Sequence, residues 1–232
     1  MQNRLELAAR PSGIAQEENV FGITLSNVRT RSYEQRRSQQ QEIKLRLQAI
    51  PGVLAVSTVN QWPMSRNGNI SGIALNRQQT DATAGVSRYA TADSLIASFG
   101  LKLVGGRDFT PDEIVVSDPA TSQVSPKVVQ VTQGVAKLLY PNANNVVGKT
   151  VLLGTGADAD EARIIGVVEQ LQTISAEKSG KSQYAIICPY DYADNQFAVR
   201  TRPGQRDRVM TDAQQILRSL FQEPVIINTS TV

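Results

Sequence analysis

YATADSLIASFGLKLVGGRDFT, residues 89–110, compresses a helix, a stop, a strand and a corner into one short stretch. Leu95, Ile96 and Phe99 recur at helical spacing, and Gly100 ends that helix because glycine enters the left-handed region at little cost. Leu101–Val104 is predicted as a strand, and Gly105-Gly106 as the turn that follows it. The turn delivers Arg107 and Asp108 to a backbone corner. There Arg107 bonds carbonyls or a carboxylate, and Phe109 anchors the loop in the core. This structural role is preferred to a functional Arg107–Asp108 pair.

Around this stretch, about Gln61 to Tyr190, the pattern is mostly β. Short strands are predicted at 70–75, 86–90, 127–131, 149–153 and 162–169, separated by turn residues. Short helices are predicted near 93–98 and 132–139. The second carries Val135, Leu138 and Leu139 on one face and stops at Pro141. Residues 154–161 and 175–183 are small, polar and charged and are predicted to be mobile. Cys188, in the run YAIIC, is predicted as a buried strand residue, since a free cysteine behaves as a small hydrophobe.

The chain ends follow a different plan. A strand at 20–25, a helix at 33–50 and a strand at 53–59 form one β-α-β unit. Ile43, Leu47 and Ile50 mark the buried stripe of that helix. Its first half, YEQRRSQQQ, is polar all round and is expected to be solvated or to face another chain. A second unit has strands at 196–200 and 225–229 around a helix at 206–221, with Val209, Ala213, Ile216, Leu217 and Leu220 on one stripe. The predicted fold class is therefore α+β with two subdomains. Residues 1–60 and 191–232 form a split β-α-β subdomain, and residues 61–190 form an inserted mostly-β subdomain with short helices. The four terminal strands are expected to share one sheet, bringing Met1 and Val232 to the same side.

Composition narrows the function. The chain has 232 residues, 41% hydrophobic and 19% charged, enough for a substantial core. The net charge of +3 is small and scattered, and aromatics are 5%, so no nucleic-acid partner is expected. No apolar run approaches the roughly 18 residues that span a bilayer, and no signal-peptide pattern opens the chain. Histidine is absent and Cys188 is the single cysteine. That removes a Ser-His-Asp triad, a Cys-His pair, the usual zinc ligand sets and an intrachain disulfide.

Three motifs invite chemistry and fail on inspection. Gly148-Lys149-Thr150 imitates the end of a phosphate loop, but Ala143 stands where the first glycine is needed, and KTVLL reads as a strand rather than a helix. Asp158, Asp160 and Glu161 lack calcium-loop spacing and fit a solvated hairpin tip. Arg29, Arg31, Arg36 and Arg37, interleaved with Glu and Gln, fit a charged helix face better than a contact with a partner subunit or lipid headgroups. No pair of carboxylates has a spacing suited to hydrolysis.

Three blocks in order resemble the extracytoplasmic core domain of MacB/FtsX-like ABC transporter permeases. The first is FGLKLVGGRDF, against Leu-Gly-Ile … Leu-Leu-x-Gly-Arg-x-Phe. The second is VTQGVAKLLYPNANNVVGK, against N-x-x-x-A-x-x-Leu-Phe-Pro … Val-Gly-Lys. The third is IIGVVE, against Val-x-Gly-Val-Val. Ile50-Pro51-Gly52-Val53 and Phe197-Ala198-Val199-Arg200-Thr201 add two further matches. The sequence departs where the family often has Asn, at Gln130 or Thr132, and where Tyr140 replaces Phe before the proline. The resemblance implies a structural signature of Gly100, Gly106, Arg107, Phe109, Pro141, Gly148 and Gly166, with no catalytic, metal or cofactor residues in this domain.

The resemblance also implies a periplasmic, non-catalytic domain of an inner-membrane permease, with ATP used by a separate cytoplasmic ATPase. The implied partners are the permease's own transmembrane helices, before Met1 and after Val232, a second permease copy or paralogue, and the ATP-binding subunit. A periplasmic adaptor is implied for exporters and lipoprotein cargo for the extraction branch. A free-standing interaction module is the alternative reading, and an enzyme ranks third. The isolated chain is expected to be monomeric or weakly dimeric, because the apolar stripes are needed for its own core.

Overall fold

The computed structural model describes residues 11–26, 32–118, 120–121, 124–175, 183–221 and 226–231. Met1, Val232, Arg29, Arg31, Val225 and most of the predicted mobile stretch at 175–183 lie outside them. The N-terminal part runs β1 (Val20–Ser26), α1 (Tyr33–Gln48) and β2 (Val53–Thr58). The middle begins with β3 (Ile70–Ala74), β4 (Ala84–Thr91), α2 (Leu95–Phe99), β5 (Leu103–Gly106) and β6 (Val115–Val116). It continues with β7 (Val128–Thr132), α3 (Gln133–Leu139), β8 (Thr150–Leu153), β9 (Asp160–Val168) and β10 (Ala185–Asp191). The chain closes with β11 (Gln196–Thr201), α4 (Arg206–Leu220) and β12 (Ile226–Thr231).

The four terminal strands form one antiparallel sheet in the order β12-β1-β11-β2, the split β-α-β order. First and last strands are neighbours, with Phe21 opposite Thr231 and Ser26 opposite Ile226. Side chains alternate across the sheet. Phe21, Ile23, Leu25, Phe197 and Val199 meet Ile43 and Leu47 of α1 and Val209, Ala213 and Leu217 of α4. Burying each large apolar side chain contributes about 1.5–3 kcal/mol, so this layer carries much of the sheet's stability.

The middle strands pair in the circuit β4-β3-β8-β9-β7-β10, and β10 returns to lie parallel to β4, with Ile186 opposite Arg88. A closed six-stranded barrel results, which leaves no open edge on this circuit. Ile73, Val86, Val129, Ile164, Ile186 and Cys188 fill its interior, and Val135 and Leu139 of α3 pack into the same cluster.

Two expectations are corrected, and one element was not foreseen. The strand predicted at 101–104 runs instead from Leu103 to Gly106, and Gly105 and Gly106 pair with Val167 and Gly166. Gly106 on this ribbon and Gly166 on β9, both without a Cβ, let the two strands approach closely, whereas a Cβ on Gly105 would meet nothing nearer than Val147. Asp160 and Glu161 are not at the hairpin tip but open β9, opposite Leu153 and Leu152. The short β6, which extends the end of β10 at Tyr190 and Asp191, carries no local sequence signal.

The other face of the four-stranded sheet packs on the barrel. Val20 and Ala198 from the sheet join Tyr89, Ile187 and Val168 from barrel strands, with Leu95 and Phe99 of α2 between them. The Tyr89 hydroxyl, fully buried, donates to the Gln172 carbonyl at 2.7 Å. The two units thus share one continuous apolar seam.

Candidate functional site

Tyr33, Arg36, Arg37, Gln40 and Lys44 recur at i, i+3, i+4, i+7 and i+11, one face of α1. The helix starts on a reciprocal cap. Gln35 N–H donates to Ser32 Oγ at 3.3 Å, and Ser32 N–H to Gln35 Oε1 at 3.2 Å. This polar face is half-exposed rather than fully solvated. It lies along the ends of barrel elements, and every member reaches across.

Tyr33 donates its hydroxyl to the Asp191 carbonyl at 2.6 Å, and Arg37 Nε meets Asp191 Oδ2 at 2.7 Å. Arg36 Nη2 lies 3.6 Å from Asp118 Oδ1. Gln40, 2% exposed, donates to the Asp194 carbonyl at 3.1 Å. Lys44 is ion-paired with Asp93 Oδ1, and Asp93 Oδ2 accepts from Thr58 N–H at 2.9 Å and Thr58 Oγ1 at 3.2 Å. Asp93 therefore ties α1, β2 and the start of α2 together.

Asp191-Tyr192-Ala193-Asp194 is the crossing from barrel strand β10 to sheet strand β11. Ala193 holds a left-handed φ of 54°, and its N–H donates to Asp191 Oδ1 at 3.2 Å. Burial, reinforced by the charge of Asp191, pushes the Asp194 carboxyl up to about 6. Burial, then Asp191, also raises the Tyr33 hydroxyl, which keeps it a proton donor at neutral pH. Arg36 and Arg37 form a charged, half-exposed helix face, and from it they reach Asp118 and Asp191 and brace the two units. A cavity of about 330 Å³ lies along this junction, lined by Arg37, Asp93, Asp108, Phe109 and Asp191.

The signature residues fall into separate places. Gly106 and Gly166 face each other across β5 and β9, and Arg107 N–H donates to the Ile165 carbonyl at 2.9 Å. A Cβ on Gly106 would sit 2.0 Å from that carbonyl oxygen. The Arg107 guanidinium grips Glu113 with two bonds of 2.8 and 2.6 Å, which hold the Glu113 carboxyl down at about 2. Asp108 binds the corner shut by accepting from Ser94, from Gln130 Nε2 at 2.7 Å and from Phe109 N–H at 2.8 Å. Phe109 packs on the shared seam.

Gly100 is the left-handed cap of α2, at φ 63°, and a Cβ there would come 2.6 Å from Arg200 Nη2. Buried Arg200 donates to the Ser98 carbonyl at 3.1 Å and to the Ala15 carbonyl at 2.6 Å, so it ties β11 to the end of α2. Pro141 follows α3, and Gly148, at φ 89°, turns the chain into β8. Lys149 stacks over the Tyr140 ring at 5.0 Å from the centroid. Asp93, Asp191, Asp194, Gln40 and Lys44 escaped sequence reading. The polar stripe of α1 at helical spacing was the signal that pointed to a partner face.

A sequence profile describing the MacB-like periplasmic core domain matches residues 6–216. The chain belongs to this family. It is a periplasmic domain of an ABC-type transporter permease. The periplasmic region of MacB from Actinobacillus actinomycetemcomitans superposes at TM-score 0.56 and 17% identity, covering 96% of this chain and 93% of that one. The extracellular domain of the noncanonic ABC-type transporter YknZ from Gram-positive bacteria gives TM-score 0.54 and 14% identity, covering 90% and 100%. A domain of a putative permease from Porphyromonas gingivalis gives TM-score 0.53 and 14% identity, covering 94% and 92%. No curated protein sequence matches the chain. In this family member the α+β fold unites a split β-α-β unit with an inserted β-rich unit.

Proposed function

We propose that this domain is a non-catalytic transmission element. It couples ATP hydrolysis by a separate cytoplasmic ATPase to work on substrates or partner proteins in the periplasm, through the permease's transmembrane helices and with a second permease copy. The observation that carries this reading is the brace. Both chain ends feed the four-stranded sheet, and α1 fastens that sheet to the barrel over an apolar seam. A displacement imposed at the ends is then passed to the barrel as rigid-body motion rather than absorbed between the units. No nucleotide or metal is expected to act in this domain, because the Gly148-Lys149 turn leads into strand β8 instead of a helix.

The test uses the assembled permease with its ATPase. Lys44→Met combined with Asp93→Asn removes the charge pair while keeping side-chain bulk. ATP hydrolysis is expected to persist while cargo handling per ATP falls several-fold. Undiminished handling, or ATP turnover by the 232-residue chain alone, overturns the proposal.

A further inference from the structure

At one mouth of the barrel, the interior row of β4 reads Ala84, Val86, Arg88, Ala90: three core residues and one guanidinium. Arg88 is half-buried and lines a cavity of about 400 Å³ together with Ser71, Leu153, Tyr190 and Tyr192. Its guanidinium lies 5.0 Å from the centroid of the Tyr190 ring, and Nη2 donates to the Tyr192 hydroxyl at 3.1 Å. The Tyr190 and Tyr192 rings stack at 4.5 Å and 19°. The cation is therefore held in one orientation by a cation–π contact and by hydrogen bonds to Tyr192 and Cys188.

A guanidinium carries five N–H donors. Among the described residues, Arg88 reaches the Tyr192 hydroxyl and the buried Cys188 thiol, and no carboxylate pairs with it. Other buried or half-buried arginines of this chain differ: Arg37 has Asp191, and Arg200 has two carbonyls. Asp160 lines the same cavity but is engaged by Ser125 Oγ, and Ser71 Oγ donates to Asn69. Cys188, next to this row, has its thiol pushed up to about 12 by burial and supplies no anion. A guanidinium held in one orientation on a cavity wall, with N–H groups to spare and no carboxylate beside it, is fitted to receive an anion.

We propose that this barrel mouth binds a small organic carboxylate bearing a flat ring. Its carboxylate takes the unused N–H groups of Arg88, and its ring lies against the accessible side of Tyr192, the outer member of the stack. The cavity falls in the size range of small-molecule sites, and Asp160 on its wall disfavours multiply charged anions. The inference stands apart from the transmission reading, since a ligand here requires no ATPase and no membrane.

The probe is N-acetylphenylalanine, titrated into the 232-residue chain and followed by amide chemical shifts. Saturable binding is expected below about 10 mM, weakened roughly tenfold or more when the probe is the uncharged amide or the chain carries Arg88→Gln. Tyr192→Phe, which keeps the ring stack and removes the hydroxyl, is expected to retain binding, and serves if the Arg88 variant fails to fold. No shifts at Arg88, Tyr190 and Tyr192, or equal binding of acid and amide, overturns the proposal. So does tenfold tighter binding of the tripeptide Ala-Ala-Phe, which would make the occupant a chain end.

Discussion

The four-stranded sheet uses both faces, one under α1 and α4 and the other against the barrel, whereas the barrel turns one face inward on itself. Their joins differ accordingly. The β5 ribbon is fastened to the outside of the barrel circuit by backbone, at the point on β9 where Gly106 meets Gly166 with no side chain between them. The two units are joined by side chains, through Lys44–Asp93, Arg37–Asp191 and the seam around Phe99. A backbone contact this close tolerates no added atom, while a side-chain brace can be weakened in steps. The brace is thus the place where coupling can be tuned without unfolding the domain.

The largest effect is expected at the glycine crossing of β5 and β9. Gly106→Ala adds a Cβ at 2.0 Å from the Ile165 oxygen in a residue at φ 76°. A loss above about 3 kcal/mol, or failure to fold, is expected. Gly148→Ala is the control: φ is 89° but nothing lies within 4 Å, so only the left-handed cost of about 1 kcal/mol applies. Chemical denaturation of both variants separates close backbone approach from simple backbone strain, and equal losses would refute the distinction.

Next comes the brace. Asp93→Ala strands Lys44 and leaves Thr58 N–H without its acceptor. A loss of about 2–4 kcal/mol is expected, with the barrel's own amides still protected in hydrogen exchange. Uniform loss of protection in both units would mean that they are one cooperative block rather than two bodies fastened together.

Asp194 gives the smallest effect and the opposite sign. Its carboxyl is held at about 6 in the folded chain, above its ordinary 3.8, so the folded state binds the proton more tightly. Stability therefore falls as pH rises through this window and stays reduced above it. Asp194→Asn is expected to raise stability at pH 7 by about 1–2 kcal/mol, a few degrees in Tm, and to change little near pH 4. Thermal melts at the two pH values check this; a variant less stable at neutral pH would show that the Asp194 charge supports the crossing.

Much of the fold was legible because apolar spacing is a local signal. Ile43 and Leu47, and Val209, Ala213 and Leu217, announced the two helices and, with them, the shared terminal sheet. The barrel closure was not legible, since the parallel pairing of β10 with β4 joins residues about a hundred positions apart. At the brace, Arg36 and Arg37 showed their charge but not their partners, because Asp118 and Asp191 lie far along the chain. Gly105-Gly106 read as a turn because glycine marks both turns and close strand approach.

The central claim, that the domain moves as one braced body, is tested most directly by a distance across the brace in the assembled permease. Spin labels at Leu45→Cys on α1 and Val104→Cys on β5 occupy exposed positions, while native Cys188 is fully buried. Pulsed dipolar spectroscopy is predicted to give one narrow distance distribution that stays unchanged between nucleotide-free and ATP-bound states. A distribution that splits or shifts with nucleotide would contradict the account, because the units would then be moving against each other.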